Sequence, residues 1–277
     1  MQFVSPLGEE RYDAFVAAAA GAIIALDFDG TLAPIVDDPT KARIHPDAAQ
    51  VLLGLAPRVL AIAVVTGRPA RQVLDLGGLE DVADELAAAG TELYVFGQYG
   101  NERWSSSRRA IVGPRPPHGL ATFLRELPRT LRLAGAGEAY VEEKGLAVAV
   151  HTRRLSDPEA AFQALLSPLT GLASAHDLVV EPGRQVIEVR SDGMDKGLVV
   201  ERLIHALDAK AFLFAGDDLG DVEAFDTVAA YAKEGMPTLL VASASSEESV
   251  LVPLADVVVR GPAGVLDLLR RITADAS

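Results

Sequence analysis

The sequence contains no cysteine. That absence excludes disulfides, thiolate metal sites and a cysteine nucleophile, and it suits a reducing compartment. Positive charge is scarce as well: 25 Lys and Arg stand against 39 Asp and Glu, a net charge of −14. So acidic a chain repels nucleic acid and anionic membrane surfaces, and neither is expected as a partner. Anionic substrates are repelled for the same reason, so a phosphate site has to be rebuilt locally from cations and backbone N–H groups. Long apolar runs are also missing. The stretch 14–26 has 13 residues, short of the ~20 that span a bilayer, and it stops at Asp27. The opening segment MQFVSPLGEERYDAF lacks the basic start and apolar middle of a signal peptide, and the expected location is the cytoplasm. No repeat or low-complexity tract interrupts the 277 residues, nearly half of them apolar, enough for one large core or two smaller ones.

What the sequence does contain is a series of short β-rich apolar runs: AIIALDF (22–28), VLAIAVVTG (59–67), LYVFG (93–97), AFLFAGDD (211–218) and TLLVA (238–242). Helical periodicity appears between them, in PDAAQVLLGLA and DKGLVVERLIHAL. This alternation predicts an α/β fold with a parallel sheet buried on both faces. Ligands of such sheets bind beyond the carboxyl ends of the strands, where Asp27, Asp29, Thr66, Asp217 and Asp218 fall. The middle of the chain reads otherwise. After WSSSRRAIVGPRPPHG (104–119), the segments 139–153 and 177–192 alternate with period two, with tight turns at Lys144–Gly145 and Pro182–Gly183. A helical stretch near 157–173 separates them. These predict an α+β domain at 108–190, inserted into a core formed by 1–107 and 191–277. The segment 247–272 reads as a last strand and a closing helix, and Trp104 and Tyr94 as packing residues.

Alternate residues of a strand face one way. If extended geometry continues past Phe28, Asp27 and Asp29 converge, and two adjacent carboxylates need an offsetting charge. A divalent cation supplies it, and oxygen ligands without Cys or clustered His favour Mg²⁺. The sequence TGRP opens a helix with Pro69 in its first turn, where free N–H groups favour an anion. Gly30 lets the chain turn sharply after Asp29. A single Asp at a strand end also reads as a turn or a helix cap. An ordered set is harder to read that way.

The set here is D-x-D-G-T at Asp27, Asp29, Gly30 and Thr31, then T-G-R at Thr66, Gly67 and Arg68, then Lys196, then G-D-D at Gly216, Asp217 and Asp218. This quartet resembles the haloacid dehalogenase-like superfamily, and within it the phosphatases. The resemblance implies a Rossmann-like parallel-sheet core with an inserted cap domain. It implies that Asp27 attacks phosphorus to form an aspartyl-phosphate. Asp29 would protonate the leaving sugar oxygen and then activate water, its backbone carbonyl binding the metal. Asp27, Asp29 and Asp217 would form the Mg²⁺ site, with Asp218 and Asp221 acting through water or as supporting partners. Thr66 and Lys196 would contact the phosphoryl oxygens, with Gly30, Gly67 and Arg68 beside the substrate.

Further segments narrow the resemblance. GQYGNER (97–103), VEEKGLAVAVHTR (141–153), EPGRQVIEVR (181–190) and MDKG (194–197) are similar to those of trehalose-6-phosphate phosphatases. That similarity implies a small α/β cap closing over the core, with Glu142, Lys144, Arg153 and Glu188 on the distal glucose and Glu102 near the sugar. Carboxylates and ammonium groups suit hydroxyls that both donate and accept, although Glu142 and Lys144 also read as a solvated cross-strand ion pair. His151, alternating with Ala147 and Ala149, reads as support for the sheet and is left outside the site. The chain departs from the family pattern at Gly220, where a Thr is usual, at Val222 for Glu, at Tyr99 for His and at Thr66 for Ser. The expectation is a monomeric, Mg²⁺-dependent phosphatase acting on trehalose 6-phosphate. The alternatives are another disaccharide, pseudo-disaccharide or glycosylglycerol phosphate as substrate, or a catalytically silent sugar-phosphate-binding protein.

Overall fold

The computed structural model describes all residues except 37, 184, 194, 245–249 and 277. Arg184 and Met194, one residue each of the segments 181–190 and 194–197, therefore lie outside the described residues. The chain divides into two compact units, Met1–Gly113 with Asp195–Ser277, and Pro114–Met194. The strands in chain order are β1 Gln2–Phe3, β2 Ala22–Leu26, β3 Ala61–Val65, β4 Glu92–Gly97, β5 Glu102–Ser105, β6 Tyr140–Glu143, β7 Ala147–His151, β8 Val179–Gly183, β9 Val186–Arg190, β10 Ala211–Gly216, β11 Thr238–Ala244 and β12 Val257–Arg260.

The larger unit holds one sheet in the order β1-β12-β11-β10-β2-β3-β4-β5. Its six inner strands are parallel, and β1 and β5 run antiparallel at the two edges. Every residue of β2, β3 and β10 is buried, the reason these runs are continuously apolar rather than alternating. Ile24, Leu26, Ile62 and Val64 pack on one face with helices Ala48–Leu55, Ala70–Gly77, Leu79–Ala88 and Gly261–Asp275. Ile23, Ala25, Ala63 and Val65 pack on the other with helices Lys196–Leu207 and Val222–Lys233. From β2 the chain progresses outward through β3 and β4, then returns to β10 on the other side. The order therefore reverses between β2 and β10, and their carboxyl ends border the crevice that such a reversal opens.

Residues 108–113 stay with this larger unit, although composition places the break at 107/108. Arg103 and Val112 exchange two backbone hydrogen bonds of 2.8 Å, which ties the segment to the edge strand β5. The return to the larger unit comes at Asp195, a few residues after the expected 190/191.

The smaller unit is an antiparallel sheet in the order β6-β7-β9-β8. Helices His118–Leu133 and Pro158–Ser174 cover one face, where Phe123, Leu127, Leu165 and Leu169 meet Val148, Val150, Ile187 and Val189. Period two then assigns the other face. Across it the register aligns Glu142, Ala149, Glu188 and Glu181 in one row, beside a second row starting at Tyr140 and His151. The hairpin after β6 closes with the Lys144 N–H on Ala147 O at 2.9 Å. Helix His118–Leu133 has no counterpart in the sequence reading, because Pro128 sits inside it and the Pro-rich approach masks its start. Among the described residues, no helix is long and apolar enough to cross a membrane.

Ile24 is fully buried in the central strand. Replacing it with Ala is expected to cost ~2–5 kcal/mol of stability, read from urea unfolding of the larger unit. A loss near zero would contradict this placement of the core.

Candidate active site

The strand ends carry the residues singled out in the sequence. Asp27 directly follows β2, and its N–H donates to Ala215 O of β10 at 2.9 Å, so sheet pairing continues one residue past the strand and fixes where the side chain starts. Thr66 follows β3 and is held alike, its N–H on Phe96 O at 2.9 Å. Asp217 follows β10. Lys196 is the first residue of helix Lys196–Leu207, which Asp195 caps by accepting the Leu198 N–H at 2.9 Å.

The Lys196 ammonium lies 2.7 Å from Asp27 Oδ1 and 2.6 Å from Asp221 Oδ1. All three residues are buried, at 3 %, 5 % and 0 % exposure. Asp221 spends its second oxygen on the backbone N–H groups of Asp217 at 3.0 Å and Asp218 at 3.4 Å. Its carboxylate is thus committed inward, anchoring Lys196 and the turn that carries Asp217. Burial alone would lower the lysine's affinity for its proton, but Asp221 and Asp27 outweigh it and hold the ammonium pKa well above its ordinary value. For Asp27 burial wins. Its carboxyl is raised well above the usual range, with Lys196 pulling the other way. Asp217 is pushed up to about 10 by burial, with Asp27 and Asp218 adding to it.

Carboxylate oxygens of Asp27, Asp217 and Asp221 lie within 4.8 Å of one another. Gly30, at φ +69°, faces them, and a Cβ there would overlap the Asp217 carboxylate. Three crowded carboxylates, with neither His nor Cys among them, suit a hard divalent cation. This buried acidic cluster points to a metal site. Ser243 on β11 fixes the same turn, its hydroxyl donating to Gly30 O at 2.6 Å. Sequence reading missed that residue, whose only signal is a hydroxyl near a strand end.

The carboxylates of Asp29 and Asp218 are not part of this cluster; the resemblance gives the metal the Asp29 backbone carbonyl and has Asp218 act through water or as a supporting partner. The Leu32 and Ala33 N–H groups return to Phe28 O at 2.9 and 2.8 Å, so the chain turns where extended geometry was expected, and the Asp29 carboxylate does not join the cluster. It meets Arg68 instead: Nε donates to Oδ2 at 2.6 Å and Nη2 to Oδ1 at 2.7 Å. Arg68 also donates to Pro39 O at 2.8 Å. This arginine, expected beside the substrate, orients Asp29. Asp218 is exposed and accepts the Gly220 N–H at 2.9 Å, capping its turn.

Glu102, expected near the sugar, has both oxygens engaged, one by the Ala70 N–H at 2.6 Å and one by Gln98 Nε2 at 2.9 Å. It fills the N-terminus of helix Ala70–Gly77, the place expected to receive an external anion. Pro69 precedes that helix rather than standing in its first turn. Thr66 Oγ1 accepts the Arg68 N–H at 3.1 Å, which leaves its hydroxyl hydrogen to donate.

In the smaller unit, Glu142, Lys144 and Glu188 share the face opposite the helices. Lys144 Nζ is 2.5 Å from Glu188 Oε2, and the His151 ring lies 3.0 Å from Glu142. Arg190 pairs with Glu181 at 3.2 Å on the same face. The alternation that suggested a merely structural His151 is what puts it among these groups. Glu188 is 5 % exposed, and its Oε1 has no hydrogen-bond partner among the described residues. Arg153 is exposed in the turn after β7, and its neighbour Arg154 stacks over the Tyr140 ring at 5.4 Å.

Comparison with known proteins gives a consistent picture. Residues 131–257 match the family model described as trehalose-phosphatase. An uncharacterised glycosyl hydrolase of Mycobacterium tuberculosis is 34 % identical over 73 % of this chain and 15 % of its own length. A trehalose-phosphate phosphatase of Mycolicibacterium paratuberculosis is 32 % identical over 77 % of this chain and 53 % of its own. The chain thus spans a small part of the first relative and about half of the second. The C-terminal domain of a Candida albicans trehalose-6-phosphate phosphatase superposes with a TM-score of 0.74 at 18 % identity, covering 99 % of this chain and 98 % of that one. That likeness is one of fold.

Raised carboxyl pKa values bind extra protons in the folded state, so without a cation stability falls as pH climbs through them. Thermal melts in chelator are expected to show a Tm that declines from about pH 6 to about pH 8.5, with a divalent cation restoring more at the higher pH. A cation shift equal at both pH values would contradict the assignment.

Proposed function

We propose a function on one premise: this chain belongs to the trehalose-phosphatase family, within the haloacid dehalogenase-like phosphatases. The reaction is hydrolysis of trehalose 6-phosphate to trehalose and phosphate through an aspartyl-phosphate. One observation carries this reading: a buried ammonium holds Asp27 beside Asp217 and Asp221 at the strand ends.

Lys196 occupies Asp27 Oδ1, which leaves Oδ2 to attack phosphorus. The O–P bond to Asp27 forms as the bond to the sugar oxygen breaks, and Asp29 gives that oxygen its proton. Asp29, now a carboxylate, takes a proton from water. That water attacks phosphorus, and Asp27 leaves as a carboxylate. The Arg68 fork aims Asp29 through both steps, and one of its two bonds opens when Asp29 carries the proton. The Thr66 hydroxyl and Lys196 hold phosphoryl oxygens. Asp27 and Asp217, with Asp221 behind them, would hold Mg²⁺, which would supply further neutralisation of the phosphoryl charge. The remaining sugar is recognised by the polar face of the smaller unit's sheet. A buried acceptor left unpaired, as Glu188 Oε1 is, costs ~1–3 kcal/mol, and a sugar hydroxyl would satisfy it. The substrate is accordingly a phosphorylated disaccharide, and a chain without cysteine suits the cytoplasm.

The direct test is phosphate release from a panel of sugar phosphates with p-nitrophenyl phosphate as reference. Trehalose 6-phosphate is expected to give the highest kcat/KM; turnover no faster than the aryl ester would refute the substrate. Asp27→Asn should lower kcat on the order of a thousandfold or more while the circular dichroism spectrum stays unchanged, and retained turnover removes the nucleophile. Glu188→Gln is expected to raise KM for trehalose 6-phosphate about tenfold and to leave p-nitrophenyl phosphate unaffected. Equal losses on both would take the sugar away from this face.

A further inference from the structure

The turn Gln98–Gly100 joins β4 to β5 and passes through the left-handed region at three consecutive residues, with φ of +48° at Gln98, +58° at Tyr99 and +96° at Gly100. Two of the three carry side chains, and such conformations persist only where surrounding contacts hold them. Here the contacts are specific. The Gln98 N–H donates to Arg68 O at 2.8 Å and the Tyr99 N–H to Thr66 O at 3.0 Å. Both acceptors belong to the turn Thr66–Gly67–Arg68. The strained turn is therefore laced to the segment that supplies the Thr66 hydroxyl and the Arg68 guanidinium.

The Tyr99 ring spans two turns. A Cβ built at Gly67 would stand 2.8 Å from both Cζ and the hydroxyl oxygen of Tyr99, inside contact distance. On the other edge, a Cβ at Gly220 would stand 3.7 Å from Cε1. One edge of the ring thus lies on the Thr66–Arg68 turn, and the other faces the turn that carries Asp217, Asp218 and Asp221. These are two of the positions, Tyr99 and Gly220, at which the sequence departs from its family's pattern, and the structure brings them together.

We propose that Tyr99 is a positioning residue: its ring is the spacer between the Thr66–Arg68 turn and the Asp217–Asp221 turn, and Gly67 lacks a side chain to admit it. The spacer acts through the groups it separates and does not itself touch the reacting atoms. The inference deepens the phosphatase reading and rests on it for its kinetic readout only.

The test combines Tyr99→Gly, Tyr99→Phe and Gly67→Ala. Tyr99→Gly removes the ring and gives the backbone a residue at ease with positive φ. Its Tm is expected to equal or exceed that of the parent, while p-nitrophenyl phosphate turnover falls about ten- to a hundredfold and Mg²⁺ affinity by calorimetry falls with it. Tyr99→Phe keeps the ring, and its turnover is expected within about threefold of the parent. Gly67→Ala forces its methyl against the ring and is expected to lower turnover in the parent, but to add little in the Tyr99→Gly background. A purely structural role would drop the Tm of Tyr99→Gly together with its turnover. Unchanged Mg²⁺ affinity in Tyr99→Gly, or an equal cost of Gly67→Ala in both backgrounds, would overturn the proposal. If the parent released no phosphate from any ester, the phosphatase reading would fall, and the Mg²⁺ titration of Tyr99→Gly would still decide the spacer.

Discussion

A single buried ammonium holds the larger unit's site together. Lys196 lies between Asp27 and Asp221, with its partners 169 and 25 positions away along the chain. Removing charges from water is expensive, and such a group is stable only when its hydrogen bonds are met and its counter-charges stand close. Both conditions are satisfied here. The lysine therefore does more than neutralise: it ties the end of β2, the start of a helix and the turn after β10 into one rigid constellation. Deleting it would leave two carboxylates facing each other in the interior.

The acids around it divide the work by what their oxygens touch. Asp221 has both oxygens turned inward, one to the ammonium and one to backbone N–H groups. Asp29 has both taken by the arginine fork, and Glu102 has both taken by a helix terminus and an amide. Asp27 gives one oxygen to Lys196 and keeps the other. In a chain of net charge −14, Asp27 is set apart from these acids by an oxygen left available rather than by its charge.

Sequence was most informative where every residue of an element shares one environment. β2, β3 and β10 are buried along their whole length, so a run of apolar residues says all that is needed. The period-two segments of the smaller unit were legible for the complementary reason, one face apolar and one polar, and the same rule assigns His151 its side of the sheet. Asp27, Thr66, Lys196 and Asp217 could be named because each stands at a strand end or helix start within an ordered motif. The partners of Asp29 and Glu102 could not. They lie 39 and 32 positions away and depend on turns at 28–33 and 98–100, where the backbone leaves regular geometry and no periodicity survives. Helix His118–Leu133 was hidden by Pro128 and by the prolines that precede it, and the two residues of β1 are too few to show a pattern.

Interrupting one unit with another sets an order of events during synthesis. Residues 114–194 are contiguous, and everything their sheet needs leaves the ribosome in one stretch. The preceding segment does not have that advantage. Its β2 waits for β10, the neighbour on its other side, and Asp27 waits first for Lys196 and then for the Ala215 carbonyl. Until then a nascent sheet exposes an unpaired inner edge, which makes that interval the one in which a chaperone matters most.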